Sequence, residues 1–146
     1  MRFEYPAQFE IHKSEIVVSF PDVPEAITAG ADVDEAYREG ADALGAALAG
    51  YVQEQRSLPK PSKPRKGNVM VAPAPLIAAK LALRLRMREL GLNNVALAAR
   101  LGVSETIVRR LVDPDHESKL ANVAEALAVM GQHMVIEVEN NRADAA

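Results

Sequence analysis

Arg109 and Arg110, with Glu105 and Thr106 one turn earlier, are the side chains whose types and spacing best suit recognition chemistry. An arginine fork can bond guanine bidentately, a glutamate can accept from the cytosine amine, and a threonine can touch a thymine methyl or a phosphate. The stretch that carries them is GVSETIVRRL, Gly102 to Leu111. On a wheel of about 100° per residue started at Ser104, Ile107, Val108, Leu111 and Val112 fall on one side. Glu105, Thr106, Arg109 and Arg110 fall on the other. Apolar residues would anchor such a helix and leave its polar side free to meet a major groove.

A helix-turn-helix needs a small residue where its helices cross, a glycine in the turn and apolar residues at fixed offsets. Ala98 is the small residue, Gly102 lies four later, and Leu97, Leu101, Val103, Val108 and Leu111 fill the apolar positions. Asn93 or Asn94 caps the first helix and Ser104 the second. The DNA-contacting candidates are therefore Asn94, Ser104, Glu105, Thr106, Arg109 and Arg110. The plain alternative is a helical hairpin with a solvated charged face.

An apolar face of Leu76, Ala79, Leu83, Met87 and Leu90 precedes this pair, with Lys80, Arg84, Arg86 and Arg88 as its charge and Gly91 as its stop. After the loop DPDHE, Ser118 is expected to cap a last helix bearing Leu120, Val123, Ala124 and Leu127. His133 to Glu139 (HMVIEVE) alternates like a strand, and a lone strand is an unprotected edge. Pairing with its copy in a second chain would cover it, and a two-fold dimer matches a palindromic operator.

No catalytic constellation accompanies these residues. There is no Cys, hence no thiol nucleophile, and His12, His116 and His133 have no metal-site spacing. Asp22, Glu25 and Asp32 sit in an elbow and at a cap, ordinary places for acids. No catalytic residue, metal or cofactor is therefore expected, and the chain reads as no enzyme.

The elements of the first half are short. Phe3, Tyr5, Ala7, Phe9 and Ile11 alternate with polar neighbours, and Ile16, Val18 and Phe20 do so again after a polar break, as in a hairpin. Pro21 and Pro24 form an elbow, a short third strand ends at Gly30, and Asp32 with Glu35 opens a helix in the manner of a capping box. Ser57 to Pro75 is rich in proline and basic residues and reads as a linker, although Asn68 to Ala72 could add a fourth strand. The fold class is α+β: a small antiparallel sheet with one helix (1–56, with or without 68–72), a linker (57–75), an all-α domain with a C-terminal strand (76–139) and a frayed end (140–146).

Charge follows the same division. The 146 residues carry a net −3, yet 1–56 has 4 basic residues against 11 acidic, 57–112 has 11 against 2, and 113–146 has 2 against 7. A basic middle suits a polyanion such as operator DNA, and an acidic head a basic partner. No apolar run reaches the roughly 18 residues of a spanning helix, and the start MRFEYPAQFE lacks a secretory signal, so a cytoplasmic protein away from membranes is expected.

The opening FEYPAQFE, the elbow VVSFPDVPEAITAG and the helix DVDEAYREGADALGAAL resemble the HicB family of toxin–antitoxin antitoxins. In place of the glycine and cysteine often found after the elbow's second proline stand Glu25 and Ala26. The resemblance implies a degraded ribonuclease-H-like head without nuclease activity. That head would bind and mask a HicA-type toxin, a small basic ribonuclease, while a lambda-repressor-like tail represses its own operon. Asp22, Glu25, Asp34 and Glu39 are the candidate toxin contacts. Two other functions fit the residues less fully: a stand-alone repressor whose head binds a ligand or oligomerises, and a nuclease, for which clustered carboxylates are wanting.

Overall fold

The computed structural model describes residues 1–140. They form two compact units, residues 1–74 joined by the described residues from Val138, and Pro75–Glu137. In the first, β1 (Tyr5–His12), β2 (Glu15–Ser19), β3 (Ile27–Gly30), α1 (Val33–Gln53) and β4 (Val69–Val71) follow in chain order. The four strands make one antiparallel sheet ordered β3-β2-β1-β4, so the possible fourth strand exists and pairs with β1. Phe9 opposite Val18 and Ile11 opposite Ile16 carry the period-two alternation across the hairpin. Lys13, at φ 53°, makes its tight turn. Inward residues are not buried evenly: Tyr5, Ala7, Val18 and Phe20 are buried, whereas Ile11 near the hairpin tip is 81% exposed.

The sheet and α1 meet through Ala36, Leu44, Leu48, Tyr51 and Val52 on the helix. Asp32 Oδ1 accepts from the Glu35 amide at 2.8 Å, and Glu35 Oε2 reaches back to the Ala31 amide at 2.8 Å. This is the reciprocal arrangement expected of the capping box, shifted by one residue on the return bond. Two glycines let the layers close. A Cβ on Gly40 would lie 3.1 Å from Val18 Cγ1, and one on Gly30 only 2.3 Å from the Ala36 amide nitrogen.

Between α1 and β4 the proline-rich segment is tied to the head. Tyr5 Oη donates to the Pro59 carbonyl at 2.7 Å, and both the amide and hydroxyl of Ser62 donate to Asp22 Oδ2 at 2.9 Å. Asn68 Oδ1 accepts from the Arg65 amide at 2.7 Å. Burial raises the pKa of the Tyr5 hydroxyl above its ordinary value, with Asp22 and Tyr51 adding to the rise.

The second unit is helical: α2 (Pro75–Leu90), α3 (Asn94–Leu101), α4 (Glu105–Val112) and α5 (Leu120–Ala128). Ala79, Leu83, Met87, Leu97, Ala98, Val108, Leu111, Val112, Val123, Ala126, Leu127 and Met130 form its core. Gly102 closes α3 in the left-handed region at φ 67°, where only glycine is unstrained. Asn93, rather than Asn94, caps α3 through the Ala96 amide at 2.8 Å, and Ser104 caps α4 through the Ile107 amide. Among the described residues no helix is long and apolar enough to cross a membrane.

Several expectations for this unit are corrected. Lys80 is not part of the solvated charge of α2, being 1% exposed. Ser118 does not cap the last helix: α5 begins after Lys119 with no side-chain cap, and the Ser118 hydroxyl serves Lys80 instead. Ile107, assigned to the anchoring side, is 45% exposed, because the core receives only Val108, Leu111 and Val112 from α4. His133–Glu139 forms no strand, with Val135 86% and Val138 89% exposed, since a strand needs a ladder partner and the chain supplies none there. The expected frayed end at 140–146 lies, past Asn140, outside the described residues.

Candidate functional site

The turn of Gly102, Val103 and Ser104 sets α4 after α3, with Leu97 and Ala98 of α3 and Val108, Leu111 and Val112 of α4 in one core. Glu105, Thr106, Arg109 and Arg110 are all exposed. The structure thus brings the four base-reading candidates together on one short helix. Arg109 Nη2 lies 3.1 Å from Glu105 Oε1, an i,i+4 pair that holds the guanidinium along the helix. At such exposure this pair contributes little stability. Ser104 is engaged by its cap, and Asn94 is the first residue of α3 beside the capping Asn93.

The end of α4 is secured by a residue that the wheel did not single out. Lys80 Nζ donates to the carbonyls of Arg110 (3.0 Å), Asp113 (2.6 Å) and His116 (2.6 Å) and to Ser118 Oγ (2.9 Å). A helix leaves its last carbonyls without intrahelical donors and carries partial negative charge there. A buried ammonium with three protons satisfies such carbonyls at once, although burial pushes the Lys80 pKa below its ordinary value against the pull of Asp113. Arg86, six residues further along α2, acts similarly, its Nε and Nη2 donating to the Met130 carbonyl after α5 at 3.1 and 3.0 Å. From α2, then, two cations fasten the ends of two helices. The available signal was modest: Lys80 follows Ala79 inside the apolar stripe of α2.

On the first unit the four acidic candidates separate into two pairs. Asp22 is taken up by Ser62. Glu25 accepts from the Tyr51 hydroxyl at 2.8 Å, and Arg56 lies over the Tyr51 ring at 3.9 Å and 3.8 Å from Glu25. Hydrogen bonds from its own backbone and from Tyr51 hold the Glu25 carboxyl below its usual pKa. Asp34 and Glu39 are exposed on α1, where Arg38 and Asp42 are exposed too. Among the described residues no group of three or more His, Asp or Glu is placed to hold a metal ion.

The comparisons agree on one family. A family model described as the HicB_like antitoxin of bacterial toxin-antitoxin system matches residues 4–82. "Antitoxin HicB 2" of Photorhabdus laumondii is 36% identical over 130 residues, 89% of this chain and 92% of that protein. "Antitoxin HicB" of Pseudomonas fluorescens is 35% identical over 138 residues, 94% of each. "Antitoxin HicB" of Escherichia coli (strain K12) is 29% identical over 118 residues, 81% of this chain and 86% of that protein.

Proposed function

This chain belongs to the HicB-like family of bacterial toxin–antitoxin antitoxins, and from that premise we propose that it works through two separate binding units. The sheet-and-helix unit binds and silences a small basic HicA-type ribonuclease, and the helical unit binds promoter DNA of its own operon as a helix-turn-helix. The observation that carries the second half is the α4 face, with Glu105, Thr106, Arg109 and Arg110 exposed together while Val108, Leu111 and Val112 are buried. The acidic balance of 1–56 supports the first half. Asp34 and Glu39 are better placed for a toxin than Asp22 and Glu25, whose carboxylates already have partners. The reading is of a non-enzymatic cytoplasmic regulator without a cofactor.

The experiment that tests this is purification of the tagged chain from its host, followed by ribonuclease assays on any small basic protein that comes with it. Silencing of that ribonuclease on adding the chain back supports the antitoxin half. If no such protein is retained while promoter DNA still binds, the plain repressor is the better description.

Arg109→Ala and Arg110→Ala are each expected to weaken promoter binding by roughly 1–3 kcal/mol, the range of a bidentate base contact. Fluorescence anisotropy against wild-type and scrambled duplexes reads this; an equal loss on both duplexes would mean phosphate contacts instead. We further propose a homodimer through residues 132–139, whose apolar Val135, Ile136 and Val138 are exposed. Light scattering should show a dimer that deletion of residues 132–146 converts to a monomer, and an unchanged mass would remove that assignment.

A further inference from the structure

The segment from Ser57 to Asn68 carries Lys60, Lys63, Arg65 and Lys66 and no acidic residue. It is held at three places: Pro59 by Tyr5, Ser62 by Asp22, and Asn68, whose side chain accepts from the Arg65 amide and donates to the Ala7 carbonyl. Pro59, Pro61 and Pro64 stiffen it by fixing φ. The four cations are exposed, and none of their side chains makes a hydrogen bond or ion pair among the described residues. That is informative, because the same unit carries 11 acidic residues before Ser57. Cations serving only to offset that charge would pair with it. Here Asp22, an acid that does bond the segment, binds the neutral Ser62 instead.

We propose that this strap is a second contact to duplex DNA, one that neutralises backbone phosphates and reads no sequence. The inference rests on the reading of α4 as a DNA-contacting helix. At about 3.1 Å per residue, the rise of proline-rich backbone, Lys60 to Arg65 covers about 16 Å, and Lys66 follows in the turn closed by the Asn68 amide on the Arg65 carbonyl. A DNA strand presents one phosphate per about 3.4 Å of axis, so the strap is long enough to follow several of them. Its order is set before binding, which removes the entropic cost that a free basic tail carries. Only eight residues separate Lys66 from Pro75, so once the helical unit engages a duplex the strap is present at a high effective concentration. Phosphate contacts of this kind add affinity and position the protein without adding specificity.

The test uses the full chain and a variant carrying Lys60→Gln, Lys63→Gln, Arg65→Gln and Lys66→Gln. The probes are a duplex from the region upstream of its own gene and a scrambled duplex of equal length, each titrated at several salt concentrations. Each phosphate contact contributes about 0.9 to the slope of log affinity against log salt. The variant should therefore lose up to about 3.6 of slope on both probes, keep the wild-type preference between them and keep the wild-type melting curve. A charge-retaining variant with Lys60→Arg, Lys63→Arg, Arg65→Lys and Lys66→Arg should restore the slope. An unchanged slope in the glutamine variant overturns the strap contact while leaving the α4 reading intact. If the wild-type chain prefers neither duplex and Arg109→Ala changes nothing, the α4 reading fails and the strap falls with it.

Discussion

Lys80→Met is expected to destabilise the helical unit by about 3–5 kcal/mol and to abolish promoter binding at ordinary temperatures. The substitution keeps the apolar stem and removes the donor on which the carbonyls of Arg110, Asp113 and His116 converge. Each buried acceptor left without a partner costs about 1–3 kcal/mol. Part of that is offset, because an ammonium no longer has to leave water. The balance is large for this unit: at about 0.05–0.15 kcal/mol per residue, residues 75–137 hold about 3–9 kcal/mol in all. Lys80→Arg should recover only part of the loss. A planar guanidinium offers its donors in a fork, whereas these acceptors surround a point. Urea or thermal unfolding followed by the helical circular dichroism of the full chain measures the effect. A Lys80→Met chain that unfolds within about 1 kcal/mol of the wild type would show that water replaces the ammonium at little cost.

Gly30→Ala is expected to cause a loss of similar size in the other unit. The added Cβ would stand 2.3 Å from the Ala36 nitrogen, 2.7 Å from Ala36 Cα and 2.8 Å from the Glu35 carbonyl carbon, all of them backbone. No rotamer change relieves such a contact, and the first turn of α1 is itself held by Asp32 and Glu35. The helix must lift from β3, at a cost of about 3–5 kcal/mol, above the usual range for an added methyl because backbone has to move. Gly40→Ala is the internal comparison. Its nearest neighbour is the side-chain atom Val18 Cγ1 at 3.1 Å, which can yield, so its cost should stay near 1 kcal/mol. Gly30→Ala should also abolish ribonuclease silencing while promoter affinity stays within about threefold. Equal unfolding curves for the two alanine variants would contradict the packing argument.

Much of the fold was legible because its causes are local. Alternation between Tyr5 and Phe20 dictates a hairpin wherever one face is covered. Asp32 with Glu35 marks the start of α1, and Gly102 admits the left-handed conformation that ends α3. The α4 face was legible for the same reason, since an eight-residue helix turns Thr106 and Arg110 away from Val108 and Leu111 by its period alone. Periodicity could not say where a helix's apolar side ends, and Ile107 fell beyond it.

By itself the sequence determined the strands of the first unit, the helices, the caps at Asp32 and Ser104, the stop at Gly102 and the charged groups that share the α4 face, because these depend on neighbours within a few residues. Only the tertiary structure decided the fate of Lys80, Ser62 and the 133–139 segment. Lys80 and Ser118 are 38 residues apart, and Ser62 and Asp22 are 40 apart. No pattern of adjacent residues announces that a lysine among leucines will meet four oxygens, or that a proline-rich segment will be tied down. An alternating segment becomes a strand only if another edge accepts its hydrogen bonds, and that edge is supplied by packing, not by alternation.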